Sequence, residues 1–127
     1  MIATKELACN SYSFIGDAVM SLYVREFLVM KGYQRPKDLQ ALTLRFVSAQ
    51  SQYEIYAYLN DEAKIFNEVE KEWFKKGRNH IGHIPKNGNL KTYQVASGLE
   101  AIIGYLYFND QERLKEIMTM IFEWRKL

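Results

Sequence analysis

The sequence has almost no cysteine and no long apolar run, and both absences exclude classes of protein. Cys9 is the only cysteine among 127 residues, so an intramolecular disulfide is impossible and thiolates cannot build a zinc site. The longest purely apolar stretch, counting glycine, is residues 101–108, far short of the roughly 20 residues that span a membrane. The first ten residues contain no run suited to a secretory signal. We therefore expect a soluble, cytoplasmic protein that does not bind membranes.

The sequence also lacks a large excess of positive or negative charge. The chain has 17 Lys and Arg against 15 Asp and Glu, a net charge of +2 that argues against general avidity for polyanions. Hydrophobic residues make up 48% and charged residues 25%, which is ordinary for a globular protein and excludes extensive disorder. A chain of 127 residues can bury one sizeable core, so we predict a single domain over residues 1–127.

The two-residue alternation of a β-strand is absent, and apolar residues recur at helical spacing instead. The pattern predicts helices over about residues 12–30, 36–59, 62–76, 92–108 and 110–124, so the expected fold is all-α. The first helix should be the central one. Its predicted buried stripes comprise Ile15, Val19 and Leu22 on one side and Phe14, Val24 and Phe27 on the other.

Residues 77–90 form the one clear irregular segment, with three of the seven glycines and one of the two prolines. Loops of this length inside a small domain are usually functional or mobile. Its basic surroundings indicate either a solvated surface or a loop that contacts phosphates. The basic residues are Lys75, Lys76, Arg78, Lys86 and Lys91. His80 and His83 lack a third protein ligand at suitable spacing, so we do not expect them to bind zinc.

Two apolar stretches each carry a single charge. Asp17 is the only charged residue in residues 14–24, and Glu100 is the only one in residues 96–109. Each stretch predicts a core helix with one carboxylate on or beside its buried face. A buried carboxylate is costly unless it is compensated, and a hard divalent cation with oxygen ligands is the natural compensator.

Structural alternatives exist for both acids. Asp17 precedes Ala-Val-Met and fits a helix N-cap as well as it fits a metal ligand. Glu100, taken alone, is better explained by a buried salt bridge to a Lys or Arg. The neighbouring residues favour the metal-ligand interpretation, because Gly16, Gly98 and Gly104 lie near the acids in the sequence. A glycine inside a helix costs about 1 kcal/mol relative to alanine, which indicates close approach of another backbone or of a ligand.

Both acidic motifs resemble those of a known family. Phe-Ile-Gly-Asp-Ala-Val at residues 14–19 resembles the signature helix of the ribonuclease III family, and Leu-Glu-Ala-Ile-Ile-Gly at residues 99–104 resembles its second acidic motif. The similarity is closest to Mini-III, the bacterial subfamily without a double-stranded-RNA-binding domain, and covers about residues 10–125. Further segments that resemble Mini-III are residues 45–50, 77–79, 85–87 and 92–93.

The resemblance implies a ribonuclease III-like helical homodimer that cleaves double-stranded RNA with Mg²⁺ and leaves 5′-phosphate and 3′-hydroxyl ends. In Mini-III this activity matures the ends of large-subunit ribosomal RNA. Asp17 and Glu100 match the family's catalytic, metal-binding acids. The predicted RNA-binding residues are Lys75, Lys76, Arg78, Asn79, Lys86 and Lys91.

The sequence departs from full-length ribonuclease III at two positions. Ser13 and Ser97 stand where that enzyme has further acids, as they do in a pared-down Mini-III site. The number of metal ions per site therefore stays open. One alternative function is a non-catalytic protein of the same fold that binds double-stranded RNA. Another is a helical protein-interaction module in which both acids pair with basic residues.

Overall fold

The computed structural model describes residues 1–2, 7–79, 86 and 88–127. This part of the chain contains helices and no β-strand, so the predicted all-α fold is confirmed. The elements in chain order are α1 (Cys9–Met30), α2 (Pro36–Val47), α3 (Ala49–Ala57), a π-helical turn (Tyr58–Glu62), α4 (Glu68–Asn79), α5 (Leu90–Asn109) and α6 (Gln111–Trp124). None of the described helices is both long and apolar enough to cross a membrane.

Helix α5 occupies the centre of the fold. It contacts α1, α3, α4 and α6, and its contact with α1 is the most extensive. Leu99, Ile102 and Ile103 are fully buried, and apolar residues surround this helix on most sides. The centre therefore belongs to α5 more than to α1, which was predicted to be the central helix.

One side of α1 does not enter the core. Phe14 is 79% exposed and Leu22 is 65% exposed, so the prediction that both are buried is wrong. Val19 and Val24 are buried as predicted. The apolar residues of α1 extend around more of the helix than its neighbours α2, α4 and α5 cover, which leaves an apolar strip on the surface.

Glycines allow α1 and α5 to cross with their backbones in contact. A methyl group at Gly16 would collide with the carbonyl oxygen of Glu100, and one at Gly104 would collide with the carbonyl oxygen of Tyr12. The close approach of another backbone, predicted from these glycines, is confirmed at both. Gly98 similarly admits Phe74 of α4.

The predicted helix over residues 36–59 is two helices. Ser48 has an extended backbone with ψ 155°, and its hydroxyl accepts a hydrogen bond from the Ser51 N–H at 3.1 Å. The Ser51 hydroxyl in turn donates to the Leu44 carbonyl oxygen at 2.9 Å. Serine side chains offer the backbone such local partners and so favour helix starts over helix interiors. The chain therefore turns at Ser48, and α3 begins there.

The third predicted helix is also different from the expectation. It was expected to begin at residues 60–62 and to end before Gly77, but α4 begins at Glu68 and continues through Gly77 to Asn79. Gly77 does not end the helix because it packs against Ser97, Gly98 and Ala101 of α5. Val69, on the first turn of α4, is 48% exposed.

Glu70 joins the start of α4 to α6. Its carboxylate accepts from the Asn67 N–H at 3.0 Å, while the Asn67 side chain accepts from the Glu70 N–H at 2.9 Å, a reciprocal cap. The Arg113 guanidinium donates to both oxygens of the same carboxylate, at 2.9 and 3.0 Å. Glu70 is only 1% exposed, so its carboxylate is buried. Removing Arg113 alone would leave an uncompensated buried charge and destabilise the fold.

The backbone contact at the centre predicts the effect of a single added methyl group. We expect Gly16→Ala and Gly104→Ala each to lower the free energy of unfolding by roughly 3 kcal/mol or more, because two backbones would have to separate. Urea denaturation followed by circular dichroism measures this. Ala41→Ser, which adds one atom on an exposed face of α2, is the control and should stay within about 0.5 kcal/mol of the unmodified protein. Equal stability of Gly16→Ala and the unmodified protein would contradict the crossing.

Candidate active site

The crossing of α1 and α5 places Asp17 beside Glu100. Gly16 packs on the backbone of Glu100, and Asp17 is the next residue of α1. Asp17 lies inside α1, eight residues after its start at Cys9, so the N-cap interpretation of Asp17 is wrong. Its side chain is exposed to solvent, whereas that of Glu100 is only partly exposed. The pair therefore has an outer, accessible acid and an inner one.

The surroundings of the inner acid, Glu100, favour its protonated form. Burial raises the pKa of Glu100 from 4.5 to about 8, and the charge of Asp17 and a hydrogen bond to Asp17 add to this. The direction follows because the ionised form loses hydration and faces a second negative charge. The amide of Gln52 acts the other way and lowers the same pKa.

Neither acid is neutralised by a basic side chain in the described part of the chain. The ion pairs there involve other acids: Lys71 with Glu68, Arg113 with Glu70 and Glu116, and Arg125 with Glu54. The salt-bridge alternative for Glu100 therefore finds no support. A desolvated carboxylate beside a second carboxylate is a suitable place for a divalent cation, and Mg²⁺ typically uses one or two protein carboxylates and keeps several waters.

Ser13 and Ser97 lie next to each other in this region. The Ser13 hydroxyl donates to the Ser97 carbonyl oxygen at 3.1 Å and so links α1 to α5 near the acids. This hydrogen bond joins two neutral groups, so it adds no charge beside the acids. The described residues contain no group of three or more His, Cys, Asp or Glu side chains arranged to hold a metal ion.

Four of the predicted RNA-binding residues lie on the last turns of α4, one lies at the start of α5, and Lys86 lies between these helices. Lys75, Lys76, Arg78 and Asn79 are exposed on the last turns of α4, and Lys86 and Lys91 are exposed as well. Gly77 packs against Ala101, so this end of α4 lies against the turn of α5 that carries Glu100. Residues 80–85 and 87 of the predicted loop, with His80 and His83, lie outside the described residues. The preceding three, 77–79, are helical.

Two of these cations lie over aromatic rings. The Lys76 ammonium is 4.3 Å from the centre of the Trp73 ring, and the Arg78 guanidinium is 5.9 Å from that of Phe74. Attraction to the ring faces restricts both side chains without neutralising them. The surface beside the acid pair therefore presents positive charge that is partly oriented.

Comparison with known proteins decides the family. The family model for the Ribonuclease III domain matches residues 10–111. Mini-ribonuclease 3 of Streptococcus pneumoniae is 37% identical over 109 residues, which cover 84% of this chain and 84% of the relative. The chain belongs to the ribonuclease III family. Mini-ribonuclease 3 of Enterococcus faecalis is 36% identical over 118 residues, which cover 91% of this chain and 88% of that relative.

A solved structure agrees with this family. A crystal structure of a Fusobacterium nucleatum protein superposes with a TM-score of 0.79 at 29% identity, covering 94% of each chain. The predicted ribonuclease III-like helical fold and the predicted Mini-III resemblance are both confirmed.

Sequence reasoning missed one residue of the site, Gln52. Its side chain is 1% exposed and adjoins Glu100, although a glutamine is usually a surface residue. A signal was available in the sequence. Gln52 stands three residues before Ile55 and seven before Leu59, so it shares a helical face with two residues that are fully buried.

The raised pKa of Glu100 predicts how stability depends on pH in the absence of divalent cations. The folded state retains a proton on Glu100 up to about pH 8, whereas the unfolded chain loses it near 4.5. The free energy of unfolding should therefore fall as pH rises between these values, by an amount on the order of a few kcal/mol. Urea denaturation in EDTA across this range measures the slope.

Two variants show whether Glu100 causes that slope. Glu100→Gln should remove most of it, while Glu26→Gln, which changes an exposed acid of α1, should leave it intact. The same slope in Glu100→Gln and in the unmodified protein would contradict the assignment.

Proposed function

We propose that this protein is a metal-dependent endoribonuclease that cleaves double-stranded RNA, with Asp17 and Glu100 as its catalytic, metal-binding acids. The observation that carries the proposal is the acid pair itself, because Glu100 is desolvated, faces Asp17 and has no basic partner in the described residues. Membership of the ribonuclease III family supplies the reaction class, and the relatives are named Mini-ribonuclease 3.

The two acids fit Mg²⁺ as the cofactor. A bound Mg²⁺ would activate water and stabilise charge on the scissile phosphate. Asp17 is exposed and so accessible to an RNA phosphate. Glu100 is less exposed and would bind the cation from the protein side. Glu100 would have to be ionised to hold the cation, since only the carboxylate is a ligand. Metal affinity should therefore increase with pH up to about 8.

Five exposed cations and the exposed Asn79 suit the backbone of an RNA duplex. Lys75, Lys76, Arg78, Asn79, Lys86 and Lys91 would contact the backbone and hold it across Asp17. Such contacts release counterions, so affinity should fall steeply with salt. A-form RNA offers its backbone and 2′-hydroxyls across a shallow minor groove, which favours recognition by shape. The proposed natural substrate is a large-subunit ribosomal RNA precursor, and the proposed catalytic unit is the single domain 1–127.

A homodimer completes this proposal. Phe14 and Leu22 are exposed on α1, and Leu44 of α2 is 54% exposed. Leu44 also lines a groove between α1 and α2, together with Ser21, Arg25, Val29, Pro36, Leu39, Gln40, Thr43 and Val47. Contiguous apolar surface of this kind commonly marks an interface. Two copies related by a two-fold axis would place one site on each strand and so cut both.

Cleavage assays test the catalytic assignment. Asp17→Asn and Glu100→Gln should each lower the cleavage rate of double-stranded RNA in Mg²⁺ by roughly three orders of magnitude, because several kcal/mol of transition-state stabilisation depend on the metal. Binding of the duplex at low salt, measured by gel shift, should persist in both. The control Glu26→Gln should cleave like the unmodified protein.

The same assay separates the alternatives. Duplex binding without any cleavage by the unmodified protein would favour a non-catalytic RNA-binding protein. Failure to bind RNA even at low salt would favour a protein-interaction module.

The exposed strip on α1 gives a separate prediction about assembly. Leu22→Glu should convert the dimer to a monomer, because a charge would be buried at the interface. Analytical ultracentrifugation measures the mass. Val69→Glu is the matched control, since Val69 is a 48% exposed apolar residue on α4, and this variant should stay dimeric. A Leu22→Glu variant that sediments as a dimer would place the interface elsewhere.

A further inference from the structure

The Gln52 side chain is a buried polar group without a complete set of partners. It lies on α3, is 1% exposed, and its amide nitrogen forms no geometrically complete hydrogen bond within the described residues. Buried amide groups are almost always hydrogen-bonded, so an exception requires an explanation. One explanation is a group that the nitrogen engages in another state of the site.

The neighbours of Gln52 show that α3 is not poorly packed. Ser51, the preceding residue, is buried and its hydroxyl is paired with the Leu44 carbonyl oxygen and with Ser48. Ile55, one turn further, is fully buried. The missing hydrogen-bond partner is therefore specific to Gln52 and does not reflect poor packing of α3. The group beside the Gln52 amide is the Glu100 carboxyl on α5.

We propose that Gln52 is a positioning residue, whose amide nitrogen donates to one oxygen of the ionised Glu100 carboxylate and so leaves the other directed toward the cation. The proposal rests on the proposed function of Asp17 and Glu100. A carboxylate has two acceptor oxygens, and a neutral amide donor can occupy one without competing for the metal. The break at Ser48 sets the start of α3 and with it the face on which Gln52 lies.

A hydrogen bond of this kind belongs to the shell of groups that orient metal ligands. Removing such a partner typically weakens metal affinity or activity tenfold to a hundredfold. A glutamine that only fills space would behave differently, because an apolar residue of similar size would replace it with no effect on the metal.

Metal binding to the full chain without RNA tests the proposal, with Mn²⁺ as the probe and calorimetry as the measurement. Gln52→Leu should bind Mn²⁺ about tenfold to a hundredfold more weakly. Its kcat in the cleavage assay should fall while KM for the duplex stays unchanged, since Gln52 is buried and does not contact RNA. Gln50→Leu is the control, because it makes the same substitution at an exposed glutamine of α3 and should keep the Mn²⁺ affinity of the unmodified protein.

Circular dichroism verifies folding, and Gln52→Met provides a second apolar variant should Gln52→Leu be unfolded. Unchanged Mn²⁺ affinity in a folded Gln52 variant, with affinity lost in Asp17→Asn and Glu100→Gln, would overturn the role of Gln52 alone. Unchanged affinity in all of these variants would overturn the metal assignment as well.

Discussion

The backbone contact between α1 and α5 is the constraint on which the rest of the structure depends. Gly16 and Gly104 remove the side chains that would separate the two helices, and the carbonyl groups of Glu100 and Tyr12 occupy the space. The same contact brings Asp17 and Glu100 together. The glycines therefore serve the fold and the candidate site at once, because a wider crossing would separate the acids as well as open the core.

The two acids of the candidate site differ in their exposure to solvent. Glu100 lies between buried apolar residues of α5 and is only partly exposed, whereas Asp17 is exposed to solvent. Burial raises the pKa of Glu100 and so favours its protonated form, which reduces the repulsion between the two acids. Ser13 and Ser97 keep the surroundings neutral through their hydrogen bond. The pair thus combines Glu100, whose pKa is raised, with Asp17, which is exposed to solvent.

Much of this arrangement was predictable from sequence, and the exceptions have physical causes. Single acids in apolar helical stretches and glycines beside them indicated a site at a close helix crossing. The exposure of Phe14 and Leu22 was missed because an apolar residue at helical spacing has the same pattern whether it meets the core or open surface. The break at Ser48 depends on a local side-chain cap, which competes with a continuous periodic pattern. Gln52 was missed because its burial depends on packing between α3 and α5.

The Glu70–Arg113 ion pair has a consequence for how the chain folds during synthesis. Glu70 lies at the start of α4, but its cation comes from α6, 43 residues later. Until Arg113 has left the ribosome, burying Glu70 would place an uncompensated charge in the interior. The start of α4 therefore should not reach its native packing until the last helix is available to supply Arg113.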